Sequence, residues 1–377
     1  MKTFSSLLSA LNRTLRAERG VLTAGQTASP VVITGGGLRT ARHTLKSTVW
    51  LMLFLCALLF SAAATHAQVF WRVSVKVFTD SNGNRPSGRT DAQIQADYDN
   101  YNNLIVAYAR GCRFALTEIV QLPSSLSGWF NVAARNATSR DNLLANATSN
   151  AVLYAYRSDA INIYINNSSS GICCGGNNGI IFVGNEDGSI TMFHECGHML
   201  GLCHTQGCGC NGCPPDTLGA CATPASDDVS DTIPDLPCWS RDEISQNWAG
   251  LPYASLSASA QETVNDVWFN IMSYHSGRTR LTPGQMDKVA EKSNGDRDNV
   301  TGNYFIFVDG TNGNDGNDGL TVADSFKTIT SAVNHSGADD VLLIRSGTYN
   351  KATAGSWVIN ANRVLCSRKG TVRLTRQ

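Results

Sequence analysis

Five residues in one short segment have the types and spacing of a catalytic metal site. The segment reads HECGHMLGLCH, and its five residues are His194, Glu195, His198, Gly201 and His204. Two histidines four positions apart project from the same face of a helix, so both can bind one metal ion. The glycine can adopt a positive φ, end the helix and turn the chain, which returns the third histidine to that ion.

This donor set predicts a catalytic zinc site. Three neutral imidazoles leave the fourth position of Zn²⁺ open, as a catalytic site requires. Glu195 lies beside the histidines on the same helix, where its carboxylate can accept a proton from metal-activated water. The alternative is a helix whose histidines only pack in a protein core.

A known peptidase family carries the same segment. The segment matches the extended zinc signature of the metzincin metallopeptidases, and the wider text HECGHMLGLCHT most resembles the pappalysin, or cytophagalysin-like, branch. A later segment, FNIMSY at 269–274, resembles the Met-turn of that branch. By this resemblance, Met272 forms an apolar floor under the histidines without binding metal, and Tyr274 hydrogen-bonds the oxyanion of the tetrahedral intermediate. The resemblance covers roughly residues 69–292.

Sequence patterns and the resemblance together predict an α+β metzincin-like catalytic domain over 68–292, with a mixed twisted sheet and an active-site helix. Apolar alternation or a buried apolar run predicts a strand, and apolar residues at helical spacing predict a helix. The predicted strands are 69–78, 114–120, 160–165 and 179–184, and the predicted helices are 92–110, 141–150 and 281–289. By the resemblance, 179–184 is the edge strand that pairs with an extended peptide substrate; an ordinary internal strand is the alternative.

An acidic stretch after the zinc segment is a candidate second cation site. Residues 227–234 read DDVSDTIP and resemble a pappalysin-family stretch, GD-x-x-x-DTP, that contributes to calcium binding near the active site. The match is imperfect, since an aspartate replaces the usual glycine and an isoleucine precedes the proline. By the resemblance, Asp228, Asp231 and Thr232 supply the oxygen ligands that Ca²⁺ prefers; a solvated acidic loop is the alternative.

The pattern changes beyond residue 292. Residues 293–303 (SNGDRDNVTGN) are polar and predict a linker. In 304–377, short apolar strands alternate with Asn/Asp/Gly turns, which resembles the first rungs of right-handed parallel β-helix proteins of the pectate-lyase-like type. Each rung buries its face only against a neighbour, so roughly three rungs are needed for stability. The segment therefore predicts a short parallel β-helix, either minimal or truncated.

Residues 1–67 predict an N-terminal extension that ends in a secretory signal sequence. An apolar run at 47–60 follows Arg39, Arg42 and Lys46, and a run of small residues leads to a cleavage position after Ala67. The alternative is an uncleaved membrane anchor, although the apolar run is short for a membrane span. We therefore expect a secreted, extracellular or cell-surface protein.

Cysteine usage agrees with export. Ten of the twelve cysteines fall between Cys112 and Cys238, and an even set in an exported domain predicts disulfides whose connectivity the sequence does not give. Cys196 and Cys203 lie within the zinc segment. We predict both to be in disulfides, with rival metal ligation as the alternative. For the run CGCNGC at 208–213, the alternative to disulfides is a second structural metal site.

Together these features predict a secreted zinc-dependent metalloendopeptidase that hydrolyses peptide bonds of protein substrates, with Zn²⁺ as its cofactor and Ca²⁺ as a second candidate ion. Residues 1–67 hold seven basic residues and one acidic, leaving 23 basic and 29 acidic residues in the rest. Without a basic stripe, nucleic acid is not an expected partner, and membrane contact is expected only through an uncleaved signal sequence. The alternative function is a surface adhesin or polysaccharide-binding β-helix protein with an accessory or inactive protease domain.

Overall fold

The structure is a computed structural model. It describes residues 69–106, 112–174, 179–185, 188–206, 227–337, 340–351, 364–367 and 372–376, which all belong to one folded unit, Thr65–Gln377. The predicted signal sequence, the CGCNGC run and residues 107–110 of the first predicted helix lie outside the described residues. Within the described ranges, no helix combines the length and the hydropathy needed to cross a bilayer.

A five-stranded sheet is the framework of the part that precedes residue 190. Its strands are β1 (Val69–Val77), β2 (Cys112–Gln121), β3 (Ile161–Asn166), β4 (Gly171–Cys174) and β5 (Ile180–Gly184), in the order β2-β1-β3-β5-β4. All neighbouring pairs are parallel except β4 and β5, which are antiparallel. The strands predicted at 69–78, 114–120 and 160–165 are confirmed, as is the mixed α+β class.

The prediction that 179–184 is the edge strand is wrong. β5 lies between β3 and β4, and all of its residues are buried. The edge strand on this side is β4, whose sequence is GICC. A continuous apolar run such as β5 is typical of an internal parallel strand. A four-residue strand in Gly- and Ser-rich sequence shows no periodicity that could reveal it.

Helices flank the sheet and follow the zinc segment. They are α1 (Asp91–Val106), α2 (Ala137–Ser149), α3 (Gly188–Met199), α4 (Arg241–Ala249), α5 (Ala258–Trp268), α6 (Pro283–Asn294) and α7 (Ile329–His335). The three helices predicted outside the zinc segment are confirmed as α1, α2 and α6. Helix α2 begins before its predicted start because Asn136 caps it by accepting a hydrogen bond from the Ser139 amide.

One face of the sheet packs against α3, the helix that carries the first two histidines. Alternate residues of β1, including Val73 and Val75, are fully buried on this face. They share a core with Tyr101 of α1 and Phe193 of α3, whose rings stack with centroids 3.7 Å apart. This apolar contact fixes α3 beneath the sheet and so fixes the direction of its histidines.

The C-terminal segment forms two small parallel sheets. Strands β6 (Phe305–Val308), β7 (Val341–Ile344) and β9 (Val364–Ser367) form one sheet, and β8 (Gly347–Lys351) pairs with β10 (Val372–Arg376) in the other. Parallel strands that stack from successive stretches of chain are what the coils of a β-helix would produce. The β-helix itself stays a prediction.

Residues 293–303 differ from the polar linker that we predicted. Helix α6 continues to Asn294, whose side-chain amide donates to the carbonyls of Phe305 and Leu320, both at 2.7 Å. Arg297 is buried and its Nε donates to the carbonyl of Met199 at the end of α3. The polar residues of this stretch are therefore hydrogen-bonded inside the fold, which is why their polarity does not mark a flexible connection.

Candidate metal centre and active site

Helix α3 and the turn after it bring the three histidines together. His194 and His198 lie one turn apart on α3, which ends at Met199. Gly201 has a φ of +88°, and the Leu202 amide donates back to the Gly197 carbonyl, so the chain reverses at this point. His204 thereby returns to the first two histidines, and one nitrogen from each of the three lies within 4.8 Å of the others.

The ring nitrogens are arranged to hold a cation. The Nε2 atom of His204 lies 2.9 Å from Nε2 of both His194 and His198. The Nδ1 atoms of His194 and His198 lie 2.8 and 2.7 Å from the backbone carbonyls of Ile271 and Leu202. Since a carbonyl can only accept, Nδ1 carries the proton and the Nε2 lone pair is directed at the common point.

This arrangement fits a zinc ion. Tetrahedral Zn–N bonds of about 2.0–2.1 Å separate the ligand nitrogens by roughly 3.4 Å, close to the spacing of the Nε2 atoms. Burial lowers the pKa of His198, and burial with the neighbouring imidazoles lowers the pKa values of His194 and His204. All three rings are therefore neutral at pH 7, which is the form that binds a metal.

Glu195 is buried beside the triad and is held by the edge strand. The backbone amide of Cys173 in β4 donates a hydrogen bond to its carboxylate. Gly171 of β4 lies directly above α3, because a Cβ there would approach Glu195 Cγ to 3.3 Å and collide with Thr191. Burial raises the pKa of Glu195 to about 8, against the opposing effects of the Cys173 amide and Arg135. A carboxyl group with a pKa near neutrality can both accept and return a proton.

The predicted Met-turn lies under and beside the triad. Met272 is fully buried below α3, where a Cβ on Gly197 would collide with its sulfur atom. Tyr274 is partly exposed, and its hydroxyl lies 3.1 Å from Nε2 of His204. The turn is braced by Asn270, whose side-chain oxygen accepts from the Met272 amide at 2.9 Å. The structure therefore places Met272 against α3 and Tyr274 against His204.

A buried pair behind the turn was not anticipated from the sequence. His275 Nε2 lies 2.9 Å from Asp235 Oδ1, and the other carboxylate oxygen accepts from the Thr205 hydroxyl at 3.0 Å. The His275 ring also stacks on Trp268 with centroids 4.1 Å apart. These contacts tie the residues that follow His204 and Tyr274 to each other. No spacing in the sequence signals them, because the partners come from three distant segments.

The three candidate calcium ligands have different surroundings in the structure. Asp231 accepts hydrogen bonds from the Thr282 hydroxyl at 2.7 Å and from the Gly284 amide at 2.9 Å. Asp228 is exposed with a φ of +61°, and Thr232 is buried. Among the described residues, the histidine triad is the one group of at least three His, Cys, Asp or Glu side chains placed to share an ion. Calcium binding stays a prediction.

The cysteine predictions divide. Cys203 is disulfide-bonded, as predicted, and so is Cys238. The prediction for Cys196 is wrong, since its thiol is free and fully buried in the core shared by the sheet and α3. A cysteine two positions after His194 on a helix faces away from the metal side, into that core. Cys173 and Cys174 of β4 form a disulfide with each other.

An open cavity of about 250 Å³ adjoins the triad. It is lined by Arg135, Ser170, Gly171, Thr191, His194, Glu195, Tyr274 and Arg278. The sequence pointed to His194, Glu195 and Tyr274 but missed the two arginines. Arg135 precedes the cap of α2 and Arg278 follows the Met-turn, so neither belongs to a motif. The cavity is large enough to hold a small ligand group next to Glu195 and Tyr274.

Comparisons with known proteins add one partial match and one distant likeness. Residues 311–363 match a family described as a protein of unknown function (DUF1565). No curated protein matches the chain. Among solved structures, the chain is similar to a promirolysin mutant from Tannerella forsythia, with 17% identity over 63% of this chain and 84% of that chain and a TM-score of 0.36. A TM-score of 0.36 does not establish a common fold.

Proposed function

We propose that the protein is a secreted zinc endopeptidase of the metzincin type, from the pappalysin branch. The observation that carries the proposal is the convergence of three Nε2 atoms beside a buried carboxyl group and a tyrosine hydroxyl, at the wall of an open cavity. His194, His198 and His204 would hold the zinc ion. Export is supported by the disulfide-bonded Cys203 and Cys238, since disulfides persist in oxidising compartments.

The protein groups have distinct roles in the proposed reaction. When bound, Zn²⁺ supplies Lewis acidity that activates water and polarises the scissile carbonyl. Glu195 accepts a proton from the attacking water and passes it to the departing amine. The Tyr274 hydroxyl donates a hydrogen bond to the oxygen that gains negative charge.

The edge strand offers a place for the substrate backbone. β4 pairs with β5 on one side only, and its first residue, Gly171, lines the cavity next to Glu195. An extended peptide can add to such an edge through main-chain hydrogen bonds, which recognise no particular sequence. Arg140 fixes β4 by donating to the Cys173 carbonyl at 2.7 Å. Protein or peptide substrates are therefore the proposed partners.

Zinc-dependent hydrolysis of casein or gelatin by the purified protein tests the proposal. We expect Glu195→Ala to lose at least a thousandfold in kcat/KM, an order of magnitude typical of removing a general base at a metal site, while keeping its zinc. Asp99→Ala, which removes an exposed carboxylate on α1, is the matched control and should retain activity. If Glu195→Ala with full zinc content cleaved as fast as the parent, the proposed mechanism would be wrong.

A further inference from the structure

The wall of the active-site cavity is positively charged. Two of its lining residues are arginines, Arg135 and Arg278, and within the described lining Glu195 is the single carboxylate. A substrate side chain entering this cavity therefore meets two guanidinium groups close to the reacting atoms.

Both arginines act on the same small volume. Both line the cavity together with Glu195 and Tyr274, and Arg278 Nη1 lies 3.5 Å from Nδ1 of His194. Arg135 lies in the chain before α2 and Arg278 lies after the Met-turn, so two separate segments bring the two arginines to one cavity.

Each arginine is positioned by the backbone around it. Arg278 Nη1 donates to the Ser273 carbonyl at 3.1 Å, which draws the guanidinium towards the Met-turn. Arg135 is preceded by the buried Ala134, whose amide donates to Ser168 Oγ at 3.1 Å, just before β4. A guanidinium has five donors in a planar fork, so it can bind a carboxylate while bonded to a backbone carbonyl.

We propose that Arg135 and Arg278 form a carboxylate-binding subsite that selects substrates with Asp or Glu next to the scissile bond. This inference rests on the proposed peptidase function and specifies its substrate class. Charge-assisted pairs between Arg and a carboxylate are among the strong hydrogen bonds in proteins, and a partly enclosed cavity strengthens them. A lysine or arginine side chain at the same place is repelled by two like charges.

A set of matched fluorogenic peptides tests the subsite. The peptides differ at one position beside the scissile bond, which carries Glu, Gln or Lys. We expect the Glu peptide to be cleaved about 10- to 100-fold more efficiently than the Gln peptide, in line with one or two charge-assisted hydrogen bonds. Arg278→Glu and Arg135→Glu should each remove this preference and favour Lys, while Arg278→Lys should keep part of it. The control, Lys327→Gln, removes an exposed charge far along the chain and should change nothing.

Binding measurements separate this inference from the proposed function. The same peptides are titrated against Glu195→Ala and against Glu195→Ala combined with Arg278→Glu, by fluorescence anisotropy. Tighter binding of the Glu peptide to Glu195→Ala, lost when Arg278→Glu is added, supports the subsite. If the parent protein cleaves no peptide, that result counts against the peptidase function and not against the subsite. Cleavage of all three peptides with equal efficiency, or a preference for Lys, overturns the subsite and leaves the peptidase standing.

Discussion

The two faces of the five-stranded sheet bury polar groups in different ways. On the α3 side, the Nε2 atoms of three histidines are directed at one another. On the other face, the fully buried Lys76 of β1 donates to the Ser74 carbonyl at 3.1 Å and to Asn162 Oδ1 at 2.5 Å. Asn162 in turn donates to the carbonyls of Arg157 and Ala160.

The difference distinguishes a ligand site from a structural network. Buried polar groups that find donors and acceptors in the protein stabilise the fold without needing anything else. Lone pairs that converge without a proton between them are favourable only when a cation lies among them. By this criterion the triad is a candidate metal site, and the Lys76 network is part of the scaffold. Asp231, with both oxygens bonded to the start of α6, belongs with the scaffold.

Removing a triad ligand should have the largest effect. His198→Ala leaves two imidazoles, which cannot hold zinc firmly, so we expect loss of bound zinc and a fall in peptidase activity of at least about a thousandfold. The zinc content is measured by mass spectrometry of the metal and the activity on casein. His335→Ala removes an exposed histidine of α7 and serves as the control. If His198→Ala kept its full zinc content, the triad would not be the zinc-binding site.

Lys76 should make stability depend on pH. Burial lowers its pKa from 10.5 to about 7, so between these values the unfolded chain binds a proton that the native protein does not. Acidification through this window therefore favours unfolding, and stability rises with pH from about 7 upward. Relative to Lys76→Met, which cannot titrate, the parent should gain about 2 kcal/mol in unfolding free energy between pH 7 and pH 9.

Urea unfolding at the two pH values measures this difference, and Lys327→Met controls for the loss of one exposed lysine. If the profiles of the parent and Lys76→Met were parallel, Lys76 would be charged in the native protein. The network would then contain a buried cation that needs a counter-charge. Glu118 is the candidate, because it is the carboxylate that raises the Lys76 pKa most.

Replacing Asp231 should have a smaller effect, on stability alone, and this effect tests whether Asp231 has a structural role. Asp231→Ala removes the acceptor for the Thr282 hydroxyl and the Gly284 amide, which should cost about 1–3 kcal/mol of stability and leave the zinc content unchanged. Asp99→Ala, which removes an exposed carboxylate on α1, is the matched control, with an expected change within about 0.5 kcal/mol. Thermal unfolding with and without Ca²⁺ completes the experiment. A rise in the parent's Tm with Ca²⁺ that Asp231→Ala abolishes would make this loop a metal site as well.

The sequence revealed what depends on local spacing and missed what depends on packing. The register of His194, Glu195 and His198 follows from helical geometry alone, and Gly201 marks the turn that returns His204. The edge strand β4 was missed because four residues are too few to show an alternating apolar pattern. Its neighbour β5 was taken for the edge strand because only the pairing partners distinguish an edge strand from an internal one.

Residue spacing also could not predict the side chains that approach the site from distant segments of the chain. Arg135 and Arg278 join the cavity only through the tertiary fold, and neither is part of a repeat or motif. Cys196 was wrongly assigned to a disulfide because a cysteine count does not show which cysteines pair. Its position on the inward face of α3 buries the thiol in the core, where it stays free. The grouping of the three histidines was predictable, and the residues of the pocket wall were not.

The core that continues from the main sheet into the C-terminal segment has a consequence for how the protein unfolds. Phe305, Phe307 and Val341 lie in the same apolar cluster as Trp71, whose indole N–H donates to Ser293 Oγ at 2.8 Å. Neither part has a complete core without the other, so heating should melt them together in one cooperative transition. A chain trimmed after residue 292 would expose this apolar surface and be prone to aggregate. The C-terminal strands thus contribute to the stability of the part that carries the histidine triad.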